Sequence, residues 1–225
     1  MDKSRTCLLI GEQNLQRLSE KFVTIVGVGG VGGHVATALV RAGIEKLRLV
    51  DFDIVAPSNI NRQVVAYQST IGKNKVDVLK ELLCQINPDI QIETFSCRLT
   101  KENVKTLTFG SDIVVDAIDS VQDKVELICH CKENKINIIS AMGAGNRSDI
   151  PNFVLTDIYK THDDPLAKVL RKKLKERGVK KLDVVTSCSP PNVRGRVVAS
   201  ISYYPAVCGN VLASAIVNKI IKEEI

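Results

Sequence analysis

Apolar residues along the chain fall into two spacings. Short runs dense in Val, Ile and Leu recur at Phe22–Gly27, Lys46–Asp51, Ile90–Phe95, Ile113–Ala117 and Ile136–Ala141, and these predict strands. Between them the apolar positions recur every three or four residues. Val35–Arg41 continues a helix that starts within a glycine turn and ends at Gly43. Lys73–Gln85 carries Val76, Leu79, Leu82 and Leu83 on one helical face and stops at Asn87-Pro88. Lys101–Leu107 and Lys124–Glu133 follow as helices. Residues 6–20, with Leu8, Leu9, Leu15 and Leu18, predict two short helical pieces around Gly11, outside the core or against another subunit.

Strand and helix alternating in this way build βαβ units. The N-terminal two thirds therefore predicts an α/β, Rossmann-like fold: a mainly parallel sheet with helices on both faces. The pattern changes in the C-terminal third. Phe153–Asp157 reads as a short strand and Leu166–Arg177 as a helix. Val184–Thr186 and Val197–Ser202 read as strands with no helix between them, which predicts antiparallel additions. Pro205 sits in the first turn of a last helix, where Gly209 and Ala213 give a small face for close packing.

Composition narrows this little. The 225 residues are 44% hydrophobic and 25% charged, as expected of a globule forming one domain over 1–225. Aromatics are 4% and Trp is absent, so the core is aliphatic. Seven cysteines without a CxxC pair predict reduced thiols in a cytoplasmic protein, and no zinc is expected. Residues 1–13 lack the apolar core of a signal peptide, and 206–221 is short and interrupted by Asn210 and Asn218, so no membrane partner is expected. The net charge of +6 fits an anionic ligand without choosing one.

The candidate chemistry is concentrated in residues 22–63. Gly27-Val28-Gly29-Gly30-Val31-Gly32 fits G-x-G-x-x-G between a strand and a helix, where bare backbone approaches a phosphate and a helix N-terminus supplies N–H donors. Asp51, ending the second strand, stands where an acid grips a ribose hydroxyl. These features alone suit NAD. The residues that follow do not. Arg62, Lys73 and Lys75 come just after strand two, Asp53 is beside Asp51, and Asp119 ends a later strand. Carboxyl ends of parallel strands share one crevice, so Asp51, Asp53 and Asp119 should face one ligand. Cations plus a carboxylate able to hold Mg²⁺ are what breaking a triphosphate requires.

With Asp51-Phe52-Asp53, Asn59-Ile60-Asn61-Arg62-Gln63, Gly72-Lys73-Asn74-Lys75 and Asp116-Ala117-Ile118-Asp119-Ser120, the chain resembles the adenylation domains of ubiquitin-activating enzymes and of bacterial activators of sulfur-carrier proteins. The resemblance runs nearly end to end. Arg5-Thr6, Leu9-Ile10-Gly11, Ala141-Met142-Gly143-Ala144-Gly145, Asp164-Pro165-Leu166-Ala167 and Pro205-Ala206-Val207-Cys208-Gly209 make it most similar to the branch that dehydrates threonylcarbamoyladenosine in tRNA.

The resemblance implies roles. Gly27, Gly29, Gly30 and Gly32 would hold phosphates, and Asp51 the ribose of ATP. Asn59, Arg62 and Lys75, with Asp53 and Gln63 beside them, would bind the phosphates and stabilise charge as pyrophosphate leaves. Asp119 would bind Mg²⁺. Arg5 would reach into a neighbouring subunit's site, implying a homodimer. Residues 1–20 would form a helical arm of one ATP-binding adenylation domain, and 146–204 a substrate-side extension. A monovalent cation near Gly143–Gly145 and a sulfur-transfer or cysteine desulfurase partner are open.

Some residues have plainer readings. Cys188 is not expected to be a thioester-forming nucleophile, since no His lies near it in sequence. Asp116 is expected to be structural. The basic run Lys168, Arg171, Lys172, Lys173, Lys175, Arg177, Lys180 and Lys181 is either a solvated face or a surface for tRNA phosphates. Activation of a carrier protein's Gly-Gly terminus, a non-catalytic nucleotide-binding role and an NAD oxidoreductase remain as other readings.

Overall fold

The computed structural model describes residues 1–193 and 198–225. One seven-stranded sheet runs through it in the order β3-β2-β1-β4-β5-β7-β6. The strands are β1 (Phe22–Val26), β2 (Lys46–Val50), β3 (Gln91–Phe95), β4 (Ile113–Asp116), β5 (Asn137–Ala141), β6 (Phe153–Asp157) and β7 (Asp183–Ser187). Adjacent pairs among β1–β5 and β7 are parallel, and β6 pairs antiparallel with β7.

The strands expected from periodicity are present, with one correction. Val197–Ser202 was expected as a strand. Val197 lies outside the described residues, and Val198–Ile201 is irregular chain leading into the last helix. Its polar groups go elsewhere: Ala199 N donates to Asn146 Oδ1 at 2.7 Å, Ala199 O accepts from Asn146 N at 2.7 Å, and Ser200 O accepts from Asn61 Nδ2 at 3.0 Å. A backbone satisfied by Asn146, through main chain and side chain, and by the Asn61 side chain has no need of a ladder. The antiparallel addition is β6 instead.

Helices cover both faces, as the aliphatic strands require. On one face α3 (Gly32–Ala42), α4 (Lys75–Ile86) and α8 (Tyr203–Ile221) bury Val35, Leu39, Leu79, Leu212 and Ile216 against β1, β2 and β5. On the other, α5 (Val104–Thr108), α6 (Val121–Glu133) and α7 (Pro165–Glu176) bury Leu107, Leu127, Ile128, Leu170 and Leu174. Gly209 lets α8 close on α3: a Cβ there would fall 2.7 Å from Val31 O. Helix α8 is long and apolar enough to cross a membrane, but half of its apolar stretch is buried in this core.

At the N-terminus α1 (Ser4–Ile10) and α2 (Glu12–Glu20) form the two helical pieces expected around Gly11. Leu18 of α2 is buried, whereas α1 buries no residue fully and leaves Leu8 and Leu9 exposed.

A buried polar cluster joins the second layer to the sheet. Asp116, ending β4, and Lys124, one turn into α6, are both fully buried and pair at 2.9 Å. Ser140 of β5 also donates to Asp116, and Ile118 N donates to its other oxygen at 3.1 Å. A charge so deep is tolerated only when paired and hydrogen-bonded. We therefore expect Lys124→Met, which leaves Asp116 without its counter-charge, to cost about 3–5 kcal/mol in urea unfolding. Adding Asp116→Asn should restore part of that loss. Phe109→Ala, at a side chain 74% exposed, should change stability by no more than about 0.5 kcal/mol.

Candidate active site

Strand order reverses between β1 and β4, and in open parallel sheets the crevice at such a switch lies beyond the carboxyl ends of the strands. The glycine turn occupies this position. Gly27 has φ 89°, open to glycine at little cost, and a Cβ there would lie 2.6 Å from Ala117 O at the end of β4. A Cβ at Gly32 would lie 1.8 Å from Gly27 O, an impossible contact. These two glycines thus let the start of α3 drop onto the strand ends. Gly29 and Gly30 face the other way: ideal Cβ atoms there would lie 3.6 Å from Gln63 Nε2 and 3.5 Å from Arg62 Cγ.

Asp51 follows β2 on the same edge. Its carboxylate accepts from Val28 N at 2.8 Å and Asp53 N at 2.9 Å, one bond to each oxygen. Two backbone donors leave further lone pairs for a ligand's hydroxyl groups. Burial raises the Asp51 pKa above its ordinary value, opposed by those two N–H bonds and by Lys75.

The loop after Asp51 is zipped to the start of α4. Val55 N donates to Lys73 O at 2.8 Å, Gly72 N to Val55 O at 2.9 Å, and Lys75 N to Asp53 O at 3.1 Å. Lys75, 4% exposed at the first position of α4, reaches Asp53 with its ammonium at 2.7 Å. Lys73 is exposed and enters the loop through its carbonyl. Asn59 is buried: its Oδ1 accepts from Ala56 N at 3.1 Å, and its carbonyl accepts from Arg62 N and Gln63 N at 3.1 and 3.0 Å. This turn aims Arg62, whose guanidinium donates to Ser58 O and Asn61 Oδ1, each at 2.8 Å. Gln63 is buried beside Gly29, with Oε1 lacking a hydrogen-bond partner among the described residues. Buried polar atoms are rarely left so, and this one adjoins the turn a phosphate would occupy.

Asp119 is exposed past the end of β4, just before Ser120 caps α6 through Asp123 N. Asp116 points away from the crevice into its buried pair. The structure thus brings together Gly27–Gly32, Asp51, Asp53, Asn59, Arg62, Gln63, Lys75 and Asp119 around one edge of the sheet. Arg5 is not among them; it is exposed on α1. Cys188 is half-buried after β7, its N–H bonded to Asn152 O at 2.8 Å.

Two residues organise the far side of this edge: Asp164, quoted from sequence within a motif but given no role, and Arg147, not singled out. Asp164, buried at the N-cap of α7, accepts from Ala167 N at 3.0 Å, Gly143 N at 2.9 Å and Thr186 Oγ1 at 3.3 Å. Buried Arg147 donates to the carbonyls of Ser189, Gly143, Gly145 and Asp163 at 2.8–3.3 Å. Together they fix the loops after β5 and β7. A hint lay in Asp164-Pro165, a strong helix start; nothing local marks Arg147 as buried.

The basic run divides. Lys168, Lys172, Lys173 and Lys175 are exposed on α7, and Arg177, Lys180 and Lys181 lie beyond its end. Arg171 turns inward and donates to Thr161 O at 2.8 Å.

Comparison with known proteins agrees with this fold. The tRNA threonylcarbamoyladenosine dehydratase of Bacillus subtilis is 36% identical over 240 residues, covering 98% of this chain and 94% of the relative. The E. coli tRNA N6-threonylcarbamoyladenosine dehydratase, solved in complex with ATP and with AMP, superposes with TM-scores of 0.93 and 0.94 at 35% identity, covering 98% of this chain and 94% of that one. A molybdopterin-synthase adenylyltransferase from Haemophilus influenzae is a more distant relative, 33% identical over 156 residues, 69% of this chain and 64% of its own. The ThiF family pattern matches residues 3–225, and the chain belongs to that family.

Proposed function

We propose that the chain is an ATP-dependent dehydratase that cyclises threonylcarbamoyladenosine in tRNA through an acyl-adenylate. The observation that carries the ATP-cleaving part is that Arg62 lies against Gly30 of the glycine turn while Lys75, paired with Asp53, stands beside Asp51. The end-to-end likeness to the dehydratases selects the substrate over the carrier protein of the adenylyltransferases.

In this reading Asp51 accepts hydrogen bonds from the ribose hydroxyls, using the lone pairs its two backbone donors leave. The bare turn at Gly29 and Gly30 and the first N–H groups of α3 receive phosphate oxygens. Gln63 donates to a phosphate oxygen there through its NH₂, the amide group nearest Gly29. Arg62 and Lys75 balance the charge that grows on the departing pyrophosphate. The ammonium of Lys75 carries three donors, so it keeps Asp53 while meeting a phosphate. Asn59 holds this loop in place.

Mg²⁺ fits the exposed carboxylate of Asp119. This ion takes oxygen ligands and binds nucleotide through one or two carboxylates plus phosphates, so a lone carboxylate suffices where no cluster of three ligands occurs among the described residues. Bound there, it would neutralise phosphate charge. The threonyl carboxylate attacks the α-phosphorus and releases pyrophosphate; the carbamoyl group of the same modified base then closes on the activated carbonyl and expels AMP. The loops fixed by Asp164 and Arg147, within the extension 146–204 of one adenylation domain, would border the base. The exposed face of α7 would meet tRNA phosphates. A homodimer in which Arg5 serves the neighbouring site, and a cytoplasmic location, belong to the same proposal.

Incubation with ATP, Mg²⁺ and tRNA bearing threonylcarbamoyladenosine should lower the mass of the modified nucleoside by one water. An unchanged mass with folded protein would sink the proposal. Arg62→Ala should lower kcat by about 10²–10³-fold, and Asp119→Ala should abolish Mg²⁺-dependent turnover with the fold, followed by circular dichroism, intact. ATP affinity should fall on acidification as Asp51 takes up a proton and loses acceptor capacity. Because burial raises its pKa, the fall begins at higher pH than for an ordinary aspartate; titration calorimetry of wild type against Asp51→Asn, which should bind weakly with a flatter pH profile, checks it.

A further inference from the structure

Helix α6 begins at Val121, beside Asp119, and returns to the opposite edge of the sheet over 13 residues, a distance of about 20 Å at 1.5 Å per residue. Helix α7 runs alongside it and ends at the same edge. Where both end, a recess of ≈ 410 Å³ opens, bordered by Lys132, Arg177, Lys180 and Lys181, with Glu133 the acidic residue among them. Its floor is Cys129 and Val179, both buried. A second recess of ≈ 200 Å³ shares Lys132 and adds Lys135, with Asp183 on its wall paired to Lys219 at 2.9 Å.

Part of this charge has a local reason. Helix C-termini favour cations, and Lys132, Lys173 and Lys175 stand in last turns. Arg177 is also paired with Glu126 at 3.2 Å. Lys180 and Lys181 follow Gly178, beyond the last turn of α7, so the helix dipole does not account for them. Both are exposed at the mouth of the recess.

We propose that this recess is a second anion site, gripping the sugar-phosphate backbone of the substrate tRNA about 20 Å from the reacting base. The inference rests on the tRNA reading given above. Sites for nucleotides and other small organic ligands are enclosed and mostly apolar with a few placed polar groups; this one is open, cationic and adjoined by a second recess, which suits a polymer crossing it. The exposed lysines of α7 link it to the active edge: Lys168 lies near the N-terminus of the helix, and Lys172 and Lys175 lie one and two turns on. A single folded RNA can follow that track, contacting phosphates without reading sequence.

The test is steady-state kinetics of the full chain with Lys180→Glu/Lys181→Glu, using Lys80→Glu, an exposed lysine on α4, as the charge control. The double variant should raise the KM for tRNA about tenfold or more, leave ATP affinity unchanged, and flatten the log–log salt dependence of tRNA binding by between one and two units. The control should change none of these. An unchanged KM for tRNA, or an equal rise in Lys80→Glu, overturns the proposal. Inorganic phosphate protecting wild type but not the double variant against heat, with tRNA kinetics unaltered, would assign the recess to a free anion and also overturn it. Wild-type turnover of the modified tRNA, measured alongside, reports on the proposed function separately from the recess.

Discussion

The site depends on the close approach of backbone to backbone at the end of β1. Gly27 lies against Ala117 and Gly32 against Gly27, at separations no Cβ would allow. Only with those atoms missing can the N-terminus of α3 sit at the sheet's switch point, with its free N–H groups turned toward the crevice. The Asp51 carboxylate then reaches Val28 N, and the loop from Asp53 to Gln63 folds over the same turn. The proposed phosphate site and ribose acceptor would thereby share one edge, with the loop that carries Arg62 folded over it.

Buried charge sets the other half of the geometry. Asp116–Lys124–Ser140 ties β4, α6 and β5, which fixes where Asp119 emerges. Asp164 and Arg147 do the same for the loops after β5 and β7. Pairs this deep contribute little net stability, because desolvation offsets their attraction. Their effect is geometric. They fix the two rims of the crevice from below, so that residues on its surface can remain exposed for substrate.

Much of this was legible in the sequence because it is local. Strand-turn-helix spacing marked the glycine turn, the aliphatic runs marked the parallel strands, and Asp51, Arg62 and Lys75 follow short elements whose direction the pattern gives. What escaped was long-range. Lys124 lies on the buried stripe of its helix with Leu127, Ile128 and Cys131, yet its partner is eight residues earlier on a different element. Val198–Ser202 alternates like a strand but gives its backbone groups to Asn146 and Asn61, which no periodicity reveals. The split of the basic run into an outer helix face, an inward Arg171 and a distal recess required knowing where α7 ends against α6.

In the proposed reaction the lost water leaves through adenylation, its oxygen carried off on AMP. Modified tRNA whose threonyl carboxylate bears oxygen-18 tests this in a single turnover. With both carboxylate oxygens labelled, one label is expected in the phosphate of AMP, none in pyrophosphate, and one in the cyclised base. Unlabelled AMP accompanying a cyclised product would contradict it, since the carboxylate would then never have been joined to the α-phosphorus.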